Sequence, residues 1–321
     1  MVTPEPIYRV AQGSPPAPLT LRPRVWTVWV AFVAALCSTA LFTGVVLATF
    51  ALTIAWRYGD RNGTLPPPAT LMRAVPELMR EPAGLLGSGL AACLSFAMFA
   101  LIPARLSAVG LVDRLRLRSA PRWKALGMLG AGGVVGIGQV FSGVMVFAGM
   151  EGRGALGVIA RAFADAPAEI VVAAALIVGV GAGVGEELLF RGYMLTRLRE
   201  RWGPRVAVLT SAALFGLVHF DPWHSAFAFT VGLLLGWLSL RAGTVRSTIA
   251  AHVLNNLVGV AGMVVGDPSE PTPAPVAAIE LVVGVLLIVA CVLSVRGLTQ
   301  ADLAATPATP PAATPPATHP T

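Results

Sequence analysis

The chain has 321 residues, 55% of them hydrophobic and only 12% charged, with a mean hydropathy of +0.75. A soluble domain carries about 25% charged residues, and half that density cannot wet the surface of a globule this large. The composition therefore excludes an ordinary soluble enzyme and, through its apolar excess, a disordered chain. The formal charge of +7 comes from 23 Lys+Arg against 16 Asp+Glu. Basic loops on the cytoplasmic side of a membrane protein account for it, and no nucleic-acid partner is needed.

Residues 1–24 are Pro-rich and polar and read as a flexible cytoplasmic tail. A transmembrane helical domain follows over 25–298. Its apolar runs predict eight spanning helices, at 25–56, 83–103, 124–149, 167–197, 205–220, 225–241, 246–265 and 276–296. The first is too long for a signal-peptide core and should stay as an anchor. The loop 57–82 contains Pro66-Pro67-Pro68 and then an amphipathic run to Arg80, which predicts a short helix lying on the bilayer. The loop 104–123 is strongly basic and should rest against anionic lipid head groups. Residues 299–321 are almost all Ala, Pro and Thr, cannot bury a core, and should be disordered. Cys37, Cys93 and Cys291 each lie inside an apolar run with no CxxC spacing, which makes them small packing residues.

The placement of Lys and Arg sets the orientation. With both termini in the cytoplasm, 17 of the 23 basic residues fall on the inner side; the six outer ones are Arg57, Arg61, Arg73, Arg80, Arg153 and Arg161. The expected fold is an all-α polytopic membrane protein, N-in and C-in. It would be an integral multi-pass protein, of the inner membrane if the source is bacterial.

Ionisable residues within spans are costly, roughly 2.5–3.5 kcal/mol each at the bilayer centre on insertion scales, so they point to function. The fourth span reads Gly185-Glu186-Glu187-Leu188-Leu189-Phe190-Arg191. Glu187 and Arg191 are four residues apart, share a face and can pair. Glu186 lies about 100° around the helix and is left over, available as a general base facing a small wet cavity. Four histidines occur. His319 falls in the tail, and His224 falls in a short outer loop near Asp221, where solvation is expected. His219 ends the fifth span four residues after Phe215, and His252 opens the seventh, four before Asn256. A carboxylate, two imidazoles and an amide on three helices are the parts needed to activate water and hold an oxyanion. Glu186, His219 and His252 could alternatively hold zinc with one open position, although no HExxH helix is present. The glycines between Gly179 and Gly185, and Gly130, Gly132, Gly133, Gly136 and Gly138, are expected to let helices approach closely. Measured from Arg205, His219 is about 21 Å deep, whereas His252 is only about 9 Å from Arg246. A tilt or a shifted helix start must bring them level if they share a site.

Glu186-Glu187…Arg191, Phe215…His219 and His252…Asn256 occur in order, each on its own predicted helix. They resemble the EExxxR, FxxxH and HxxxN motifs of the CAAX-protease and bacteriocin-processing family. That family is also called Abi and includes the Ras-converting type of prenyl-protein endopeptidase. The resemblance covers about residues 165–265, and the basic stretch 111–121 is also similar to family members. It implies an intramembrane endopeptidase whose cavity opens toward the cytoplasm and whose substrate is a membrane-associated protein or peptide. Carried over by position, Glu186 and His219 activate the water, His252 and Asn256 form the oxyanion site, and Glu187 and Arg191 are a structural pair. The family is commonly labelled metalloprotease, and a metal-free glutamate mechanism is also argued for it. Two other functions share this residue set. One is a non-enzymatic scaffold or immunity-type membrane protein. The other is a proton-coupled transporter, which would need a path to both faces and broken helices, whereas a protease would have a pocket closed on the outer side.

Overall fold

The computed structural model describes residues 24–58, 67, 69, 81–266 and 270–298. The expected N-terminal tail apart from Arg24, the tail at 299–321 with His319, and most of the amphipathic run before Arg80 lie outside the described residues. Every regular element among the described residues is helical. In chain order these are α1 (Trp26–Tyr58), α2 (Pro82–Arg105), the single-turn α3 (Leu111–Arg114), α4 (Trp123–Phe147), the short α5 (Gly154–Phe163), α6 (Ala168–Leu217), α7 (Pro222–Ala242), α8 (Arg246–Val265) and α9 (Ala274–Gly297).

Among the described residues seven helices are long and apolar enough to cross a membrane, where the apolar runs predict eight. The difference lies in α6, whose 50 residues join the expected fourth and fifth spans. A straight helix of that length would run about 75 Å, more than twice the hydrocarbon thickness. Instead it breaks at Gly203, where φ 76 and ψ 172 leave the helical region. Only glycine adopts such a conformation cheaply, and Pro204 starts the next arm, where a missing N–H costs nothing. The arms fold back on each other: Ser211 Oγ donates to the Phe190 carbonyl at 2.9 Å, and the Phe190 and Phe215 rings meet at 5.1 Å. Integral membrane character also shows on the outside of the bundle. Leu41, Leu52, Trp56, Leu94, Leu176, Leu286 and Leu293 are all exposed, an apolar surface that calls for lipid. Cys37 belongs to this surface and packs against nothing in the core, unlike the buried Cys93 and Cys291.

The first arm of α6 is wedged between α2 and α8 by alternating glycines. A Cβ on Gly183 would stand 2.7 Å from Val253, and one on Gly185 would stand 2.7 Å from the Cys93 carbonyl. Gly179 likewise faces Leu257 of α8, and Gly181 faces Cys93 of α2. The i, i+4 spacing puts one glycine pair on each face. On α4, Gly130, Gly133 and Gly136 do meet neighbours closely, Gly136 through the Gly284 carbonyl of α9. Gly132 does not, having nothing within 4 Å, and Gly138 reaches only the Phe227 ring edge. Gly132 faces open space, and Gly138 faces the cavity between the helices instead of a closely packed neighbour.

The basic segment between α2 and α4 folds over the start of α8. Thr244 Oγ1 donates to the carbonyls of Arg116 and Arg118, the Val245 amide donates to the Arg116 carbonyl, and Arg246 Nε donates to the Leu117 carbonyl. Thr244, Val245, Ser247 and Thr248 are consequently fully buried. The same segment fastens onto α6 through Arg114 and Glu200, 2.5 Å apart. Arg116 adopts a positive φ of 55, and burial, reinforced by Arg199, lowers its guanidinium to about 10. Asp113 is held below the usual carboxylate range by its hydrogen bonds to Arg118.

Candidate active site

The segment Gly183–Glu187 is a short α-helical stretch between two π-helical ones, Ala175–Ala182 and Leu188–Met194. Such bulges rotate side chains off the regular helical positions and recur at functional sites. Here they bracket the two glutamates. Glu187 and Arg191 are both completely buried, with Arg191 Nη1 donating to Glu187 Oε1 at 2.6 Å. Arg191 also lies 4.3 Å over the Phe215 ring and within 3.4 Å of the Gly232 carbonyl. The guanidinium is thereby tied to both arms of α6 and to α7.

Glu187 has a second partner that helix periodicity does not reveal. His252 Nδ1 lies 3.1 Å from the same Oε1. A carboxylate already bonded to a guanidinium can only accept, so Nδ1 carries the proton. The other ring nitrogen, Nε2, then points to Glu186, 3.8 Å from its Oε2. The imidazole thus stands between the two carboxylates, and Glu186 is not left over as its helical angle suggests. His219 is oriented in a similar way. Its Nδ1 is 2.8 Å from the Phe215 carbonyl four residues back. A carbonyl oxygen cannot donate, so the neutral ring keeps a lone pair on Nε2. Phe215 separates and aligns the two histidines, its ring lying 5.3 Å from His219 and 5.8 Å from His252.

Glu186, His219, His252 and Asn256 all line one cavity of about 460 Å³. Although His252 lies nearer its helix start than His219, both reach this cavity, because the turn before α8 is drawn into the bundle with Thr244 and Val245 fully buried. Asn256 Nδ2 donates to the Val178 carbonyl at 3.0 Å, and its Oδ1 accepts from Asn255 at 3.2 Å. One N–H of that amide therefore remains for a ligand.

The expected solvated position of His224 is not found. It is the third residue of α7, half-buried, and lines the same cavity, with its ring 4.1 Å from that of His219. The signal was present in the sequence. Asp221 caps α7, its Oδ1 accepting from the His224 amide at 2.8 Å, and Pro222 follows. An Asp–Pro pair is a helix start, and starting the helix there turns His224 inward. Helix α5 went unanticipated for lack of length; its Leu156 and Ile159 line the cavity.

The cavity occupies one half of the bundle. Its lining comes from the middle of α4, from α5, from Val178, Ala182 and Glu186 of the first arm of α6, from the end of its second arm, from the first half of α7 and from α8 between His252 and Met263. Toward the other half it is sealed. Beyond Arg191 lie Tyr193, Met194, Leu195, Leu198, Leu115, Leu126 and Leu238, none more than 1% exposed. The basic loops are on that sealed side. An opening toward the cytoplasm and an N-in, C-in orientation therefore cannot both hold for this cavity.

Residues 168–258 match the family described as Type II CAAX prenyl endopeptidase Rce1-like. This segment is similar to that family. It falls inside the expected core and contains all three motifs, and the match supports intramembrane endopeptidase activity in general terms. No curated protein and no solved structure matches the chain. The zinc alternative meets a geometric obstacle in the Rce1-like segment. Among the described residues no three His, Cys, Asp or Glu side chains are gathered closely enough for one ion. The residues as placed do not fit a three-ligand metal.

Proposed function

We propose that the protein is an intramembrane endopeptidase of the CAAX-protease type, which hydrolyses a peptide bond of a membrane-associated substrate. One observation carries this reading: a carboxylate–imidazole–carboxylate array, Glu187–His252–Glu186, facing a cavity that His219 also lines, its ring held by the Phe215 carbonyl. Glu186 takes the proton of a water that donates its other hydrogen to the free Nε2 of His219. The hydroxide attacks the scissile carbonyl. The resulting oxyanion accepts from the remaining amide N–H of Asn256 and from Nε2 of His252, to which Glu186 lends the proton taken from the water until the C–N bond breaks. Glu187 keeps the His252 ring in register, as the buried acid of a catalytic triad does. Glu186 then returns its proton to the departing amine. Every step uses side chains of this chain.

A pure scaffold has no use for such an array, since buried ionic groups are costly to keep. A transporter needs a route to both faces, and the sealed layer beyond Arg191 offers none. The test is a comparison of protein termini in membranes from cells carrying the wild type or Glu186→Ala. New termini that depend on Glu186 support hydrolysis, and identical terminal profiles refute it.

A further inference from the structure

The charged ends of the bundle and the position of the cavity together decide from which side the site is reached. The loops around Arg114, Glu200 and Thr244 are bonded to one another, and Arg241 donates to the Val295 and Leu298 carbonyls. The turns 106–122, 197–205 and 241–246 and the end of α9 therefore share one end of the bundle. At the opposite end the cations among the described residues are Arg57, Arg153 and Arg161. Arginine-rich ends stay in the cytoplasm during insertion, which makes the sealed end the cytoplasmic one. The cavity extends from mid-bundle, at Glu186 and His252, toward the other end, at Gly262 and Met263. Leu156 and Ile159 of α5 and Gly259 and Gly262 of α8 line it toward that end, and both glycines have open space beside them.

We propose that water and substrate reach Glu186 from the extracytoplasmic side, past α5 and the C-terminal half of α8. The substrate is then a membrane-attached or secreted polypeptide whose cleavage site is presented outside the cytoplasm, next to the outer leaflet. This reverses the side of access implied by the family resemblance. Helix α5 suits the task, because its apolar Leu156 and Ile159 line the cavity toward the end away from the basic loops. The substrate half of the proposal rests on the hydrolytic reading; the access half does not.

The access half is tested by thiol labelling. In a Cys37→Ser background, which keeps the buried Cys93 and Cys291, single cysteines are introduced as Gly262→Cys and Leu156→Cys at the mouth and as Ser119→Cys in the basic loop. A membrane-impermeant maleimide is applied to right-side-out vesicles before and after lysis. The expected result is labelling of Gly262→Cys and Leu156→Cys in sealed vesicles and of Ser119→Cys only after lysis. Labelling of the mouth positions only after lysis, or not at all, overturns the access route whatever the chemistry. The substrate half is tested by locating the termini that change between wild type and Glu186→Gln. Changes within extracytoplasmic segments support it. Changes confined to cytoplasmic segments overturn it, and no change at all overturns the hydrolytic reading instead.

Discussion

Arg191 offers the most exposing single perturbation. It and Glu187 are completely buried and 2.6 Å apart, and Glu187 Oε1 is shared with His252. Arg191→Ala removes the cation, the contact with the Phe215 ring and the bond to the Gly232 carbonyl. It strands a carboxylate in an apolar interior, which costs roughly 3–5 kcal/mol. Against a total stability of about 5–15 kcal/mol, that loss should depress folded yield in detergent and lower Tm by many degrees. Replacing both partners, as Glu187→Gln with Arg191→Met, removes the stranded charge and should recover most of the stability. It should not recover turnover. His252 loses the carboxylate that fixes its Nδ1 proton, and kcat should fall about a hundredfold or more, with a smaller change in KM. Size-exclusion yield, thermal unfolding and a peptidase assay on the three variants separate the two roles. Equal Tm and yield for Arg191→Ala and wild type would refute the buried-pair argument. Wild-type turnover in the double variant would refute the positioning role of Glu187.

Glu186→Gln should keep folded yield and cut turnover by about 10²–10⁴, the range for loss of a general base; a collapse in yield would make Glu186 structural. Asn256→Ala should lower kcat about a hundredfold or more if its free N–H meets the oxyanion, so a mild effect argues for a different donor. Elemental analysis of purified protein, with activity measured before and after chelation, should give less than stoichiometric zinc and retained activity. Stoichiometric zinc, with activity lost on chelation and restored by the metal, would overturn the metal-free steps. His224→Ala should fold normally and lose between about tenfold and a hundredfold in kcat/KM, as expected when a catalytic ring shifts slightly; unchanged kinetics would make its contact with His219 incidental. Gly136→Ala should be destabilising, because the new Cβ would lie 2.6 Å from the Gly284 carbonyl, while Gly132→Ala should be neutral, with nothing within 4 Å. Equal Tm for those two would show that α4 and α9 can part at little cost.

Hydropathy and i, i+4 spacing carried a good deal of this protein, because both are local quantities. Runs of apolar residues mark the membrane helices from α1 to α9, and Glu187 and Arg191 must share a face wherever that helix is placed. The break in α6 was legible as well: Gly203-Pro204 cannot continue a helix, so a fourth and a fifth span could be read from what is one long helical element. Relations between helices were not legible, because they depend on how far each helix slides along its neighbour. His252 sits between both glutamates because the first turn of α8 is buried beneath the carbonyls of 116–118, a contact across more than a hundred residues of sequence. His224 joins His219 because α7 begins at Pro222 and packs back against α6. The half of the bundle that is hollow and the half that is sealed were settled the same way. Leu115 from a distant loop closes over Gly192 while α5 lines the cavity on the opposite side. Composition places such a leucine in a core, but only packing in three dimensions places it beneath an active site and so decides from which side that site can be reached.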